Sequence, residues 1–392
     1  MRSMPLTRRE FNGRRGTSPR PQKNRLIKHP KGHLMPQSLT DTAVSFAVIA
    51  FAVCALLWLA PEQAGAADEI VWTDAKDLTI EGKGWADTET FYDRLPARAK
   101  ALVRPPVWDL SLDSSGYCVR FVTDAPSIHV KWDLRKPQLA MDHMPATGVS
   151  GIDVYARLAT GGWRFVGTGR VGGQSNEAAF GNPGAKEFIA YLPLYNGVTA
   201  VSVGVPAGKT LSPAPVRGKP VVFYGTSITQ GGCASRPGMA YPALVGRKLD
   251  VPVINLGFSG NGQGEPELAD LLAELDPAAY VFDALWNMSP QFVTERTAPF
   301  VRKLRAAHPN TPIVLVEDCT IHNNIPTGKG KILREIFTQL QQEGMKGLYF
   351  ISAEGMMGPN DEGTVDGCHP TDLGFMYQAE VFVRDLRPIL GK

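Results

Sequence analysis

Val221-Val222-Phe223-Tyr224-Gly225-Thr226-Ser227-Ile228-Thr229-Gln230-Gly231-Gly232 is the stretch whose reading decides the fold. Four apolar residues in a row, β-branched and aromatic, read as a short strand buried on both faces, the habit of a parallel sheet in an α/β protein. Glycines then open a sharp turn with a serine at its crest. Such a turn exposes the hydroxyl, and the backbone N–H groups entering the next helix point at any negative charge formed beside it. A Gly-x-Ser turn also occurs as plain structure, so its meaning depends on what lies downstream.

Three later segments complete a constellation. Val253-Ile254-Asn255-Leu256 is a second apolar run, followed by Gly257-Phe258-Ser259-Gly260-Asn261-Gly262. Tyr280-Val281-Phe282-Asp283-Ala284-Leu285-Trp286 leads into Asn287, and Asp366-Gly367-Cys368-His369-Pro370 lies near the C-terminus. The first two loops leave the carboxyl ends of expected strands, the edge where open parallel sheets assemble their sites. Other readings exist for single members. His369-Pro370 before Thr371-Asp372-Leu373 reads as a helix start with Thr371 as N-cap. Asn287-Met288-Ser289 matches a glycosylation acceptor, although Pro290 and the preceding apolar run favour burial. Gly257 and Gly262 read as turn formers.

With these blocks in this order, the chain resembles the SGNH (GDSL-type) hydrolase family over roughly its last 170 residues. The resemblance implies Ser227 as nucleophile, His369 as base and Asp366 as the group that orients the base. It implies Gly260 and Asn287 as oxyanion donors beside the Ser227 amide. Thr226 stands where the first block has aspartate, and Leu285 where the third often has glycine. The chemistry explains the residue types. A serine hydroxyl is a poor nucleophile until a neighbouring base takes its proton. An imidazole accepts and returns a proton near neutral pH, and a carboxylate three residues earlier on the same loop can fix its tautomer. The tetrahedral oxyanion needs preorganised donors, which a side-chain amide and a glycine backbone can supply.

The start of the chain stands apart. Residues 1–33 carry ten Arg and Lys, among them Arg8 and Arg9; an apolar run follows from Ala43 to Ala60, then Ala64-Gly65-Ala66. Residues 1–67 read as an export leader with a long basic region. Thr7-Arg8-Arg9-Glu10-Phe11 looks like a twin-arginine signal, set more than thirty residues from the apolar run; a start at Met35 would remove the basic stretch. The run is also long enough to remain as a membrane anchor if uncleaved. Of 41 Lys+Arg, 10 lie before residue 68, with 3 of the 38 Asp+Glu; the remainder holds 31 basic and 35 acidic side chains, a formal net of −4. The positive balance therefore belongs to the leader, and no basic run with interleaved aromatics points to nucleic acid.

Outside the leader stand Cys118, Cys233, Cys319 and Cys368. In an exported chain they could bridge, with three pairings open. Without a Cys-x-x-Cys spacing a zinc site is not expected, and no metal or cofactor is. Residues 68–210 read as short strands separated by turns: Tyr117–Val122, Ser127–Trp132, Gly151–Leu158, Trp163–Gly167, Glu187–Leu192 and Val198–Val205. One helix is expected over Tyr92–Val103. The pattern predicts an antiparallel β-sandwich, with Trp108, Trp132, Trp163 and Tyr155 in its core. Gly151-Ile152-Asp153-Val154-Tyr155 resembles the Gly-x-Asp-Leu-Tyr signature of an N-terminal domain paired with bacterial SGNH esterases. That resemblance extends through His143-Met144-Pro145-Ala146-Thr147-Gly148 and Tyr191–Gly197; His143 could reach the active-site rim, although a structural role is the expected one.

A proline-rich linker is expected over 211–220, and a hydrolase domain over 221–392. The latter should be a three-layer, flavodoxin-like α/β domain with strands Val221–Tyr224, Val253–Leu256, Tyr280–Ala284, Ile313–Val316 and Leu348–Ile351. Helices fall at Tyr241–Leu249, Glu265–Leu275, Gln291–Ala307, Lys331–Glu343 and Asp372–Leu386, the last ending before Pro388. The reading is an exported serine esterase, periplasmic or extracellular, cleaving oxygen esters through an acyl-enzyme. By resemblance to bacterial relatives, the preferred substrate is a small-molecule or carbohydrate ester carrying a small acyl group such as acetyl. An acyltransferase would use the same residues. A carbohydrate-binding protein with an inactive hydrolase domain is the alternative of a different class.

Overall fold

The computed structural model describes residues 69–392, so the export leader and Cys54 lie outside the described residues. Ten strands come first in chain order: β1 (Ile70–Asp74), β2 (Thr79–Glu81), β3 (Cys118–Thr123), β4 (Ser127–Leu134), β5 (Ile152–Arg157), β6 (Trp163–Gly169), β7 (Ser175–Gly181), β8 (Glu187–Tyr191), β9 (Val198–Pro206) and β10 (Leu211–Pro213). They form two antiparallel sheets. One runs β1-β9-β4-β7; the other runs β10-β3-β8-β5-β6, with β2 also on β3. Alternation explains the inner face. Along β4, Ile128, Val130, Trp132 and Leu134 point into a core shared with Val119, Phe121, Val154 and Phe188 from the facing sheet. The Trp132 indole donates to the Ser150 carbonyl at 3.0 Å, which satisfies its one polar atom inside that core.

The second sheet is buried on its other face as well. Cys118, Tyr155, Ile189 and Tyr191 pack there with Ala243 of the helix Tyr241–Leu249. This double burial is why β5 and β8 read as near-continuous apolar runs rather than alternating ones. The strands that sequence did not anticipate are β1, β2, β7 and β10. β7 (Ser-Asn-Glu-Ala-Ala-Phe-Gly) is a sheet edge with one face in water, so it carries little apolar signal. Residues 211–213, expected as linker, form the edge strand β10, where Pro213 needs no ladder donor.

The helix expected over Tyr92–Val103 is not formed. Pro96 and Pro105 punctuate the segment, leaving a 3₁₀ turn at Ala97–Ala101 and a helix at Pro105–Ser111. Arg94, almost fully buried, takes the place of helical pairing. Its guanidinium donates to the carbonyls of Leu110 (2.6 Å), Asp113 (3.0 Å), Asn255 (3.1 Å) and Gly257 (2.7 Å). Burial pushes Arg94 down to about 10, so it remains charged at neutral pH.

The C-terminal half is a parallel sheet of β11 (Val221–Gly225), β12 (Val253–Gly257), β13 (Ala279–Asp283), β14 (Ile313–Val316) and β15 (Leu348–Ile351), ordered β12-β11-β13-β14-β15. This is the flavodoxin-like order. Val222, Tyr224, Ile254 and Phe282 face the helices Pro266–Leu272, Pro290–Ala307 and Gly328–Gln342. Val221, Phe223, Val281 and Val314 face Tyr241–Leu249 and Asp372–Ile389. Truncating a fully buried aromatic here, such as Phe223, costs about 3–5 kcal/mol. The last helix does not stop before Pro388 but runs through it to Ile389. A proline in the final turn forfeits only one hydrogen bond, so the helix tolerates it there. The strand order reverses at β11, whose Gly225 lies level with Gly257 of β12 and Asp283 of β13. The three loops leaving that point carry Ser227, Gly260 and Asn287.

Candidate active site

Ser227 opens a single helical turn, Ser227–Gln230, directly after β11. Thr226 caps it: its hydroxyl accepts from the Ile228 N–H, and the Thr229 hydroxyl accepts from the Thr226 N–H, both at 3.2 Å. The threonine that replaces the family's aspartate therefore serves as a helix cap. A Cβ on Gly257 would overlap the backbone nitrogen of Gln230, so only glycine lets the β12 loop approach the serine turn this closely.

The serine turn meets the C-terminal loop. Ser227 Oγ lies 2.8 Å from Nε2 of His369, and His369 Nδ1 lies 2.8 Å from Oδ2 of Asp366. The other Asp366 oxygen accepts from the N–H groups of Cys368 (2.9 Å) and His369 (2.7 Å). Burial alone would raise the Asp366 carboxyl, but these hydrogen bonds outweigh it and hold the group at about 2. The His369 backbone is pinned in turn, its carbonyl accepting from Val365 N–H and the Thr364 hydroxyl. Thr371, not Asp366, caps the helix Asp372–Ile389. The helix-start reading of this loop thus holds for Thr371, and Asp366 and His369 are left to face Ser227.

Gly260 sits at φ +67°, a left-handed position that favours glycine, and the space where a Cβ would stand is empty. Among the described residues, no acceptor takes the N–H of Ser227 or of Gly260. Asn287, at the end of a 3₁₀ turn after β13, donates one amide hydrogen to the Phe258 carbonyl at 3.2 Å. That bond leaves its second hydrogen free.

Several neighbours were not legible in the sequence. Tyr195, from the β-domain, donates to the Ser227 carbonyl at 3.2 Å. Asp283, below the turn, accepts from the hydroxyls of Tyr241 (2.7 Å) and Thr229 (3.0 Å); burial pushes its carboxyl up to about 7 despite these bonds. His143, expected to be structural, is exposed, with its ring centroid 6.0 Å from that of His369. Among the described residues, Cys118, Cys233, Cys319 and Cys368 are unpaired. Burial, with the Asp366 charge nearby, pushes the thiols of Cys233 and Cys368 up to about 12 and about 11, so neither is a thiolate at neutral pH. Among the described residues, no cluster of His, Cys, Asp and Glu could hold a metal ion.

The site can be set beside known proteins. Residues 218–387 match the model of the GDSL-like lipase/acylhydrolase family, and residues 70–211 match the N-terminus of SGNH-hydrolase-type esterases. A protein of known structure from Bacteroides ovatus, described as a GDSL-like lipase, is 33% identical; the match covers 82% of this chain and 98% of that one, with a TM-score of 0.76. The chain belongs to the GDSL-like lipase/acylhydrolase family. Two further structures share the fold at lower identity with this family member. A salicylyl-acyltransferase from a tetracycline biosynthetic pathway is 20% identical, with a TM-score of 0.67 over 83% of this chain and 98% of that one. A family two carbohydrate esterase from Cellvibrio japonicus is 15% identical, with a TM-score of 0.53 over 83% and 99%. No curated protein matches this chain.

Proposed function

We propose that this GDSL-family chain is an exported serine esterase that hydrolyses oxygen esters through an acyl-enzyme. The observation that carries the reading is the continuous relay from Ser227 through His369 to Asp366, with both links at 2.8 Å. His369 takes the Ser227 proton as Oγ attacks the ester carbonyl. The Ser227 and Gly260 N–H groups and the Asn287 amide receive the oxyanion. The imidazolium then protonates the departing alcohol, and the acyl group stays on Ser227. A water molecule, deprotonated by His369, releases the acid and restores the serine.

A carbohydrate ester with a small acyl group is the substrate class we favour. The shared fold of the family two carbohydrate esterase supports it, as does the exposed His143 beside His369 on the open side of the site. The acyltransferase structure favours a second reading, in which a sugar or other alcohol replaces water. Export rests on the basic leader and the apolar run 43–60; among the described residues no helix is long and apolar enough to cross a membrane. The test is a screen of the purified mature protein on esters of increasing acyl length, with and without an added sugar acceptor. Turnover of acetyl esters to free acid is the expected result. Acylated sugar as the main product would favour transfer, and no turnover of any activated ester would refute both. Fractionation of the source cells, with the protein found outside the cytoplasm, checks the export reading.

Asn287→Ala is expected to lower kcat about a hundred- to a thousand-fold while KM changes little, because the amide acts on the oxyanion rather than on the bound ester. Steady-state kinetics on a nitrophenyl acetate decides it. An effect confined to KM would make Asn287 a binding or packing residue.

A further inference from the structure

The geometry points to Gln230 as the residue through which the β-domain positions the oxyanion loop, an inference that rests on the esterase reading above. Gln230 closes the helical turn that Ser227 opens, and it is fully buried. Its carboxamide oxygen accepts from the Ser259 N–H at 3.0 Å, one residue before Gly260. Its Nε2 donates to the Leu194 carbonyl at 3.1 Å and to Asp113 Oδ2 at 3.3 Å, both in the β-domain. These partners fix the amide orientation. The reverse would face NH₂ against the Ser259 N–H and set oxygen against a carbonyl and a carboxylate. Asp113 is itself held by Lys136, and the Gln230 carbonyl accepts from the Ser115 hydroxyl at 2.6 Å.

One side chain therefore ties three bodies together: the serine turn on which it sits, the loop carrying Gly260, and the β-domain. The serine nucleophile and the Gly260 N–H act on the same carbonyl and must keep their spacing. A misplacement of about 1 Å in such a constellation can cost about a hundredfold in rate. Gln230 touches no reacting atom, so it is a positioning residue, and its loss should be felt in the transition state and not in the ground state.

The experiment uses the full mature chain with Gln230→Met, which keeps length and volume but removes both donor and acceptor. We expect kcat to fall about ten- to a hundredfold with KM within about twofold. The inhibition constant of phenylboronic acid, which forms a tetrahedral adduct on the serine, should rise in proportion to the loss of kcat. A residue that merely fills the core would not move boronate affinity in step with kcat. Gln230→Glu, of the same size, keeps the acceptor for Ser259 but sets a charge against Asp113 and the Leu194 carbonyl. It is expected to show the same split and is read in place of the methionine variant if that one does not fold. A folded variant with kcat within twofold of wild type, or with kcat lost and boronate affinity unchanged, overturns the inference. Ser227→Ala is measured in parallel. Turnover there overturns the esterase reading itself, whereas a dead Ser227→Ala beside unaffected Gln230 variants overturns only the role given to Gln230.

Discussion

Ser227→Ala is expected to lower kcat on the order of a million-fold, the scale seen when the nucleophile of a comparable triad is removed. The fold should not notice. The only hydrogen bond made by the Ser227 hydroxyl among the described residues is to His369. The backbone contacts that hold the turn do not involve that hydroxyl. Its carbonyl accepts from the N–H groups of Gly231 (3.0 Å) and Gly232 (2.7 Å) and from the Tyr195 hydroxyl (3.2 Å), and alanine keeps all three. Alanine is also a good helix former at this position. An unchanged thermal midpoint with lost turnover is therefore the expected pair of results. Near-wild-type turnover in the folded variant would remove Ser227 from the chemistry.

Asp366→Asn separates orientation from shape. Asparagine can keep one oxygen for the Cys368 and His369 N–H groups. The second position then carries NH₂, which cannot accept from Nδ1 and favours the imidazole tautomer that cannot take the serine proton. In comparable triads that change costs about ten-thousand-fold in kcat. Full activity would leave Asp366 as a turn-former only; lost activity at unchanged thermal stability keeps it in the relay. The wild-type pH profile should agree. A protonated His369 cannot accept the Ser227 proton, so activity falls as acid protonates the base. Asp366, held at about 2, stays ionised throughout that limb, while Asp283 beneath the serine turn, pushed up to about 7, takes up a proton over the same range. Activity that stays constant into acid would remove His369 from the role of base.

Ser227 was readable from its glycine turn at the end of β11, whereas Asp366 and His369, on the long loop after β15, were proposed from the Asp-x-x-His resemblance. The five parallel strands were legible for a related reason. Strands buried on both faces leave unbroken apolar runs, as β11 to β14 do; β15, at the sheet edge with Tyr349 exposed, keeps an apolar run as well, and all five lie within a residue of the expected bounds. β7, polar on its exposed face, and β10, only three residues long, leave no such run, which is why they were missed. Gln230 was hidden more deeply. Asp113 lies 117 residues from it and Ser259 lies 29, and a buried amide gives no local sign of which distant groups it will join. For His143 the sequence offered the rim only as the lesser reading: its neighbours in sequence form a tight Met141–Met144 turn, while its place beside His369 is set by how residues 144–148 seat on Ala234 and Ser235.

Arg94 bears on how such a chain can be rearranged by evolution or by an engineer. The proline-rich stretch before β11 looks like a natural seam for exchanging modules. Yet the guanidinium of Arg94, far upstream of it, satisfies the carbonyls of Asn255 and Gly257 at the end of β12. A cut at that stretch would expose two main-chain oxygens next to the site and strand a cation that meets no carboxylate among the described residues. The unit of inheritance is therefore larger than the catalytic half. A chimaera that replaces the strands of the sandwich must retain the segment around Arg94, or supply another donor at the same two oxygens.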